Sequence, residues 1–448
     1  MKNYSPNKKR KILATSIFLF LFYHLSFAQT FIGKGGDIVD YSNSFYRNFF
    51  PIEVDKLPES INCDFGLTEV CITIQHRRSS DLKVTLLSPD GNEIWLTNRN
   101  GGTQGANYTN TCFSNTGFNG FIYDGISPFT GQYLPDGQME NLNNSQNPNG
   151  IWFLIIEDLR EEIIGELLHF SISFGKEVNC SKSKCRKENI GACDCPNGEE
   201  DCLLLPDLII LKELTAKQWK WFPEKHPDYP NQLRLGVGMA NIGNGPMEIK
   251  GTNQWFCPEG NVENEKTKCK DGSNPYQKIE QLVFQKKGNE LDTIIQTGGN
   301  LYFETAVGHN HYHADDWVDF VLLKKRFWRK NPKKWKVVGR SRKVSYCLFD
   351  SNRCRENPQN CKDGNQHFSP QNMINYGLGG YDSCDSDRQG ISVGGVDYYG
   401  MMYEGQSIKF SQPIKKGTYY LLIEVDPENH YRELNEENNI VLIKINIP

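Results

Sequence analysis

The 448 residues carry little net charge: 50 Lys and Arg against 54 Asp and Glu, a formal balance of −4. No global field therefore argues for specific nucleic-acid binding. Long apolar runs are scarce beyond the first thirty residues, where no segment approaches the ~20 apolar residues of a membrane span. No transmembrane segment is expected in the mature chain. Long stretches with a 3.6-residue hydrophobic period are also missing, which excludes a helical architecture. There is no phosphate-cradling Gly loop, no His-Glu-x-x-His and no Gly-x-Ser-x-Gly elbow. Instead there are 40 Gly, 21 Pro and 12% aromatics, a composition that leans towards β-structure with many turns. At 38% hydrophobic and 23% charged the chain is neither disordered nor collagen-like, and its length allows two or three domains. Fourteen Cys are too many for an ordinary reduced cytosolic protein unless a metal uses them.

The N-terminus points to export. Lys8-Lys9-Arg10-Lys11 precedes an apolar run from Ile12 to Phe27, and Ser26-Phe27-Ala28 forms a small-x-small cleavage site before Gln29. Residues 1–28 are thus expected to be a signal peptide, with an uncleaved anchor as the alternative, and the protein to be secreted, extracellular or periplasmic. Most cysteines should then be bridged. Two folded segments, 29–176 and 203–448, flank a connector over 177–202 that holds Cys180, Cys185, Cys193, Cys195 and Cys202. Its spacing is not that of a zinc ribbon and it contains no His, so it is expected to be a disulfide-stapled linker. Three cysteines precede it and six follow it. If the last six pair among themselves, these odd counts require a bridge between the first segment and the linker.

The first segment alternates with period two, as in Val70-Cys71-Ile72-Thr73-Ile74 and Leu82-Lys83-Val84-Thr85-Leu86-Leu87, between Pro-Asp-Gly and Pro-Asn-Gly turns. This pattern predicts an antiparallel sandwich. The run from Ser80 to Gly91, with Pro148-Asn149-Gly150-Ile151-Trp152 and Gly165 to Ile172, resembles the P (Homo B) domain, a jelly roll found beside the catalytic domain of subtilisin-like proprotein convertases. No subtilase catalytic domain accompanies it, so a protease reading would rest on an accessory module alone. Asp81, Asp136 and Asp158 follow no calcium-loop pattern and are expected to be solvated turn residues.

The third segment is again mostly β, with Trp317 to Phe327 expected to pair with Trp335 to Leu348 around Asn331-Pro332. Its strongest chemical signal is His309-Asn310-His311-Tyr312-His313. With nine His in the chain, such a run arises by chance on the order of 0.004 times. On a strand, residues two apart share a face, so the three imidazoles converge. Three neutral imidazoles with open positions suit Cu(II) or Zn(II).

The surroundings resemble the lysyl oxidase catalytic domain. His309, His311 and His313 match that family's copper-binding His run. Arg342-Lys343-Val344-Ser345-Tyr346-Cys347-Leu348-Phe349-Asp350 resembles its cofactor-lysine segment, and Gln389-Gly390-Ile391-Ser392 through Asp397-Tyr398-Tyr399-Gly400 its cofactor-tyrosine segment. The resemblance covers most of 203–448. It implies a mainly β copper domain in which Lys343 and Tyr399 cross-link into a lysine tyrosylquinone, with Tyr398 the alternative tyrosine. The activity implied is oxidation of primary amines, protein lysine side chains included, by O₂ to aldehydes, releasing H₂O₂ and ammonia. Asp316 matches an acidic position and is the candidate base or orienter of a ligand histidine. Two family cysteines are replaced by Gly308 and Gly395. The resemblance implies Cys347–Cys354, with Cys361–Cys384 and Cys257–Cys269 as local substitutes. All matched positions lie beyond residue 300, so the first segment is expected to fold alone and to be dispensable for the chemistry. The alternative class is a copper-binding or adhesion protein whose oxidase domain forms no quinone.

Residues 324–336 hold eight basic side chains with Phe327, Trp328 and Trp335. They are expected to form a solvated hairpin tip, or else to dock on an anionic surface. Placed near the metal, they would repel lysine-rich substrates.

Overall fold

The structure, a computed structural model, describes residues 28–448 except 42–45, 177, 179–182, 307–308, 327 and 343. The signal segment 1–27, Cys180, Gly308 and Lys343 therefore lie outside the described residues. The fold is nearly all β, as the alternation and turn content predict. Among the described residues no helix is long and apolar enough to cross a membrane.

The first module is a sandwich of two sheets. One orders Gln29–Gly33, Gly165–Gly175, Gly66–Gln75, Tyr108–Ser114 and Gly131–Tyr133, and the other Asn48–Val54, Gly150–Asp158, Leu82–Leu87 and Glu93–Asn98. Asn48–Val54 shows why they pack: its residues alternate between buried and exposed along the whole strand. Ile52, Val54, Val84, Leu86, Trp152, Leu154, Ile172 and Phe174 fill the space between the sheets, each contributing about 1.5–3 kcal/mol by leaving water. The buried Trp152 indole is satisfied by donating to the Pro148 carbonyl at 2.8 Å.

Asp81, Asp136 and Asp158 are not solvated turn residues. All three are buried. Asp158 pairs with His76 at 3.1 Å and Asp81 faces Arg78 at 3.3 Å. Asp136 accepts from the Asn98 backbone and the Asn100 side chain, both at 2.6 Å. Each carboxylate is the internal partner of a buried polar or charged group, which sequence spacing does not reveal.

The second module is built on a large antiparallel sheet. The strand His311–Lys324 lies at its centre, between Glu290–Glu304 and Gly417–Val425, and Ile440–Ile447 follows beyond the latter. Lys336–Arg340 and Val344–Tyr346 also pair with the central strand, so the expected hairpin around Asn331-Pro332 forms. A smaller sheet orders Leu208–Ile210, Val237–Asn241, Gly395–Tyr399 and Asn352–Arg353. The strand Asp201–Leu204 pairs with Tyr276–Lys287, so the linker ends inside the large sheet of the second module.

Among the described residues six disulfides form, each inside one segment. Cys71–Cys112 staples the sandwich, Cys185–Cys193 and Cys195–Cys202 the linker, and Cys257–Cys269 a loop of the second module. The other two correct the expected pairing: Cys347 joins Cys384, and Cys354 joins Cys361. A tight turn carries Cys361 back onto Cys354, its N–H donating to the Asn357 carbonyl at 3.0 Å. Cys384 instead lies against the histidine segment, where its carbonyl accepts from Tyr312 N–H at 3.2 Å. Cys63 has a free thiol, and no bridge between the first module and the linker occurs among the described residues.

The two modules are closely docked. Tyr123 stacks on Tyr398 with ring centroids 3.9 Å apart, and Gln138 donates to the Ser351 carbonyl at 3.1 Å. Glu140 pairs with both Arg353 and Arg355, and Arg160 with Asp228.

Candidate metal centre

His311 and His313 share a face at the start of the central strand, as their spacing predicts. His309 lies just before it, where Asn310 adopts φ 59°, a left-handed conformation Asn tolerates. This turn folds His309 back over the other two. The ring centroids lie 5.6 Å (His309–His311), 5.0 Å (His309–His313) and 4.8 Å (His311–His313) apart. One nitrogen from each falls within 4.8 Å of the others, and His309 Nδ1 is 3.2 Å from His313 Nε2.

Burial pushes all three imidazoles down, His313 to about 4, and at His309 and His311 the neighbouring His313 adds to it. Neutral imidazoles presented together are the form that coordinates a divalent metal, so the donor set fits copper. Cys347 and Cys384 also come near His311, but their sulfurs are consumed in a disulfide.

Behind the ligands lies a hydrogen-bonded chain that sequence reading missed. His313 Nδ1 is 3.4 Å from Ser345 Oγ, Ser345 Oγ is 2.7 Å from the Tyr302 hydroxyl, and Tyr302 donates to Glu304 at 2.7 Å. This contact engages Nδ1 and leaves Nε2 facing His309, the outer support that orients a ligand imidazole. Ser345 lies within the segment resembling the cofactor-lysine motif, whereas Tyr302 and Glu304 carry no local signal.

Tyr399 is buried beside the histidines, its ring centroid 6.5 Å from that of His313. It stacks on Tyr346 at 3.7 Å, with planes 3° apart. The Cys347 N–H donates to its hydroxyl at 2.6 Å, and the hydroxyl donates to the Cys347 carbonyl at 3.1 Å. Burial, with buried Asp397 as a secondary cause, holds this phenol well above its ordinary value. Tyr398 faces the other way, onto Tyr123 of the first module.

Asp316 sits on an irregularity of the central strand at φ 53°. Its charge acts on Tyr276, which reaches His313 only through the intervening Tyr302 ring. It does not line the cleft into which the histidines open. Lys343 lies outside the described residues. A side chain at Gly395 is excluded, since a Cβ there would fall 2.1 Å from Asp350 Oδ1. Asp350 instead accepts from the backbones of Tyr381 and Ser392 and from the Ser392 hydroxyl, which ties the loop down without a bridge.

The first module also reaches the centre. Trp95 lies 6.3 Å from His311, ring to ring, and Trp95, Asn98 and Arg99 line a small cavity together with His309, His311, Tyr399 and Tyr403. The first module thus borders the site, a contact that the sequence did not foretell. Outward-facing Trp95 carries no sign in the sequence that a second module covers it. The basic hairpin is remote: Lys324 is eleven residues beyond His313 along one strand, on the order of 30 Å.

Comparison with known families identifies both halves. The proprotein convertase P-domain model matches residues 67–174, and the lysyl oxidase model matches residues 298–447. The chain joins a P-domain to a lysyl oxidase domain. The lysyl oxidase match begins just before the histidine run and leaves 203–297 outside it. The lysyl oxidase match supports a copper amine oxidase family for the second module, and the disulfides fit a secreted protein. None of the curated proteins compared with the chain matches it. Among solved structures, a serine protease of Aeromonas sobria aligns at 14% identity and a TM-score of 0.19. That alignment covers 34% of this chain and 28% of the protease, too weak a likeness to bear on fold or activity.

Proposed function

We propose that this protein is a secreted, copper-dependent oxidase of primary amines, with protein lysine side chains among its candidate substrates. The observation that carries this reading is the meeting of three imidazoles, His313 buried and His309 and His311 half-buried, with the buried ring of Tyr399 in a lysyl oxidase domain. His309, His311 and His313 would hold copper, and a lysine tyrosylquinone derived from Lys343 and Tyr399 would supply the two-electron amine oxidation, with O₂ as the final acceptor.

The chain's own residues do the positioning. Ser345 and Tyr302 orient His313. The Cys347 backbone fixes the Tyr399 hydroxyl and Tyr346 holds its ring plane, so Tyr399 meets the histidines in one orientation. Tyr399, Tyr403 and Trp95 surround a small cavity against His309 and His311, where electrostatic interactions are stronger than in open water. Asp316 does not line the cleft of the histidines, which favours an orienting role over that of a base acting on substrate.

Aerated protein loaded with copper should release H₂O₂ when given a primary amine, and phenylhydrazine should abolish this release. A protein that binds copper stoichiometrically but gives neither result is the copper-binding alternative.

A further inference from the structure

The histidines open into a cleft of about 570 Å³ whose walls come from different modules. His309, His311, Phe349 and residues 382–385 form one wall, and the strand Glu93–Asn98 of the first module contributes the other. Ile94 and Leu96 point into the sandwich core, so alternation turns Trp95 outward. There it lies 6.3 Å from the His311 ring and edge-on to Phe349 at 4.9 Å. The ammonium of Lys83 sits 4.6 Å from the Trp95 ring, so this ring already accepts an alkylammonium group.

The charges are unevenly placed. On the first-module wall, Arg47 pairs with Glu93 at 2.7 Å and Lys83 faces Glu157 at 3.6 Å, which balances that wall. On the opposite wall Asp382 and Asp385 add negative charge. Burial raises the Asp382 carboxyl and Asp385 adds a smaller push, against its own backbone hydrogen bond and the nearby Arg388, which lower it. An aromatic floor leading to the histidines beneath an acidic lip suits a cation with an apolar stem.

We propose that the active site belongs to both modules, and that Trp95 of the P-domain is a specificity-determining residue. An alkyl amine lies in the cleft with its chain against Trp95 and Phe349 and its nitrogen towards the histidines. This inference rests on the amine-oxidase reading for its substrate class, but it concerns binding and is tested separately from turnover.

The test uses the full chain, copper-loaded and anaerobic, with Tyr399→Phe present throughout so that no quinone reacts with the amine, and titrates hexylamine and ethylamine by calorimetry. Copper content and thermal midpoint serve as controls. With Trp95 intact, this protein should bind hexylamine at least about tenfold more tightly than ethylamine, since each buried methylene adds to binding. Trp95→Ala should weaken hexylamine about tenfold and ethylamine no more than about twofold. Trp95→Phe, which keeps an aromatic wall should the alanine variant fail to fold, should lose about threefold. In aerobic turnover, with Tyr399 restored, the loss should appear in KM and not in kcat. Unchanged hexylamine affinity in a folded, copper-loaded Trp95 variant, or no chain-length preference with Trp95 intact, overturns the proposal. If H₂O₂ is released but these variants are silent, the two-module site fails while the oxidase reading stands. If binding depends on Trp95 but no amine yields H₂O₂, the oxidase reading fails while the two-module site stands.

Discussion

Tyr123 of the first module stacks on Tyr398 of the second at 3.9 Å, and the residue after Tyr398 is the tyrosine beside His313. Both tyrosines lie on the strand Gly395–Tyr399, whose alternation sends one ring to the module interface and the other to the metal centre. Interface and site thus share one strand, and of its two adjacent tyrosines Tyr399 lies against His313 while Tyr398 lies against Tyr123.

Tyr399→Phe should leave copper bound but remove amine-dependent H₂O₂ release and phenylhydrazine reactivity. Tyr398→Phe keeps the ring stacked on Tyr123 and should retain activity within about twofold. Metal analysis beside a peroxide assay reads both. Loss of activity in Tyr398→Phe with retention in Tyr399→Phe would reverse the assignment.

Replacing His309, His311 and His313 together by Ala should abolish copper binding against a competing chelator. Ser345→Ala, which removes only the partner of His313 Nδ1, should weaken copper affinity about tenfold while the site still forms. Competitive chelator titration distinguishes the two. Full copper retention in the triple variant contradicts the site.

Glu140 faces two guanidinium groups across the module interface, and Arg353 is almost fully buried. Glu140→Ala should cost up to about 3 kcal/mol, less than a wholly isolated pair because Asp350 and Glu356 still act on Arg353. The loss should appear as a lowered thermal midpoint of the full chain. An unchanged midpoint would show that the modules are not energetically joined there.

Burial raises Asp136 to about 7 against hydrogen bonds from Asn98 and Asn100 that lower it. In the unfolded chain this carboxyl titrates near 3.8. Between pH 4 and 7 the folded protein therefore holds a proton that the unfolded chain has released, and stability falls as pH rises through that window. Asp136→Asn keeps an acceptor for both donors but cannot ionise, so its thermal midpoint should fall less steeply from about pH 4 to 7. Parallel slopes in both proteins contradict this reading.

The strand pattern, the sandwich and the histidine cluster were legible because each rests on periodicity or spacing within a short stretch. His311 and His313 converge simply because strand residues alternate. The Cys347–Cys384 pairing was not legible: it depends on how the loop after Cys361 folds back beside Tyr312, a long-range contact with no local signal. Asp136 read as a turn residue because its donors, the Asn98 backbone and the Asn100 side chain, come from the end of a distant strand and the turn after it. Trp95 is one aromatic on an alternating strand, and only docking of the modules brings it to His311.

The most direct test of the account is peptide mapping by mass spectrometry of copper-loaded, aerated protein after complete disulfide reduction. The account predicts one species joining the peptides that carry Lys343 and Tyr399, absent from Lys343→Ala and Tyr399→Phe. Recovery of the two peptides only as separate species, from protein with a full complement of copper, would contradict it.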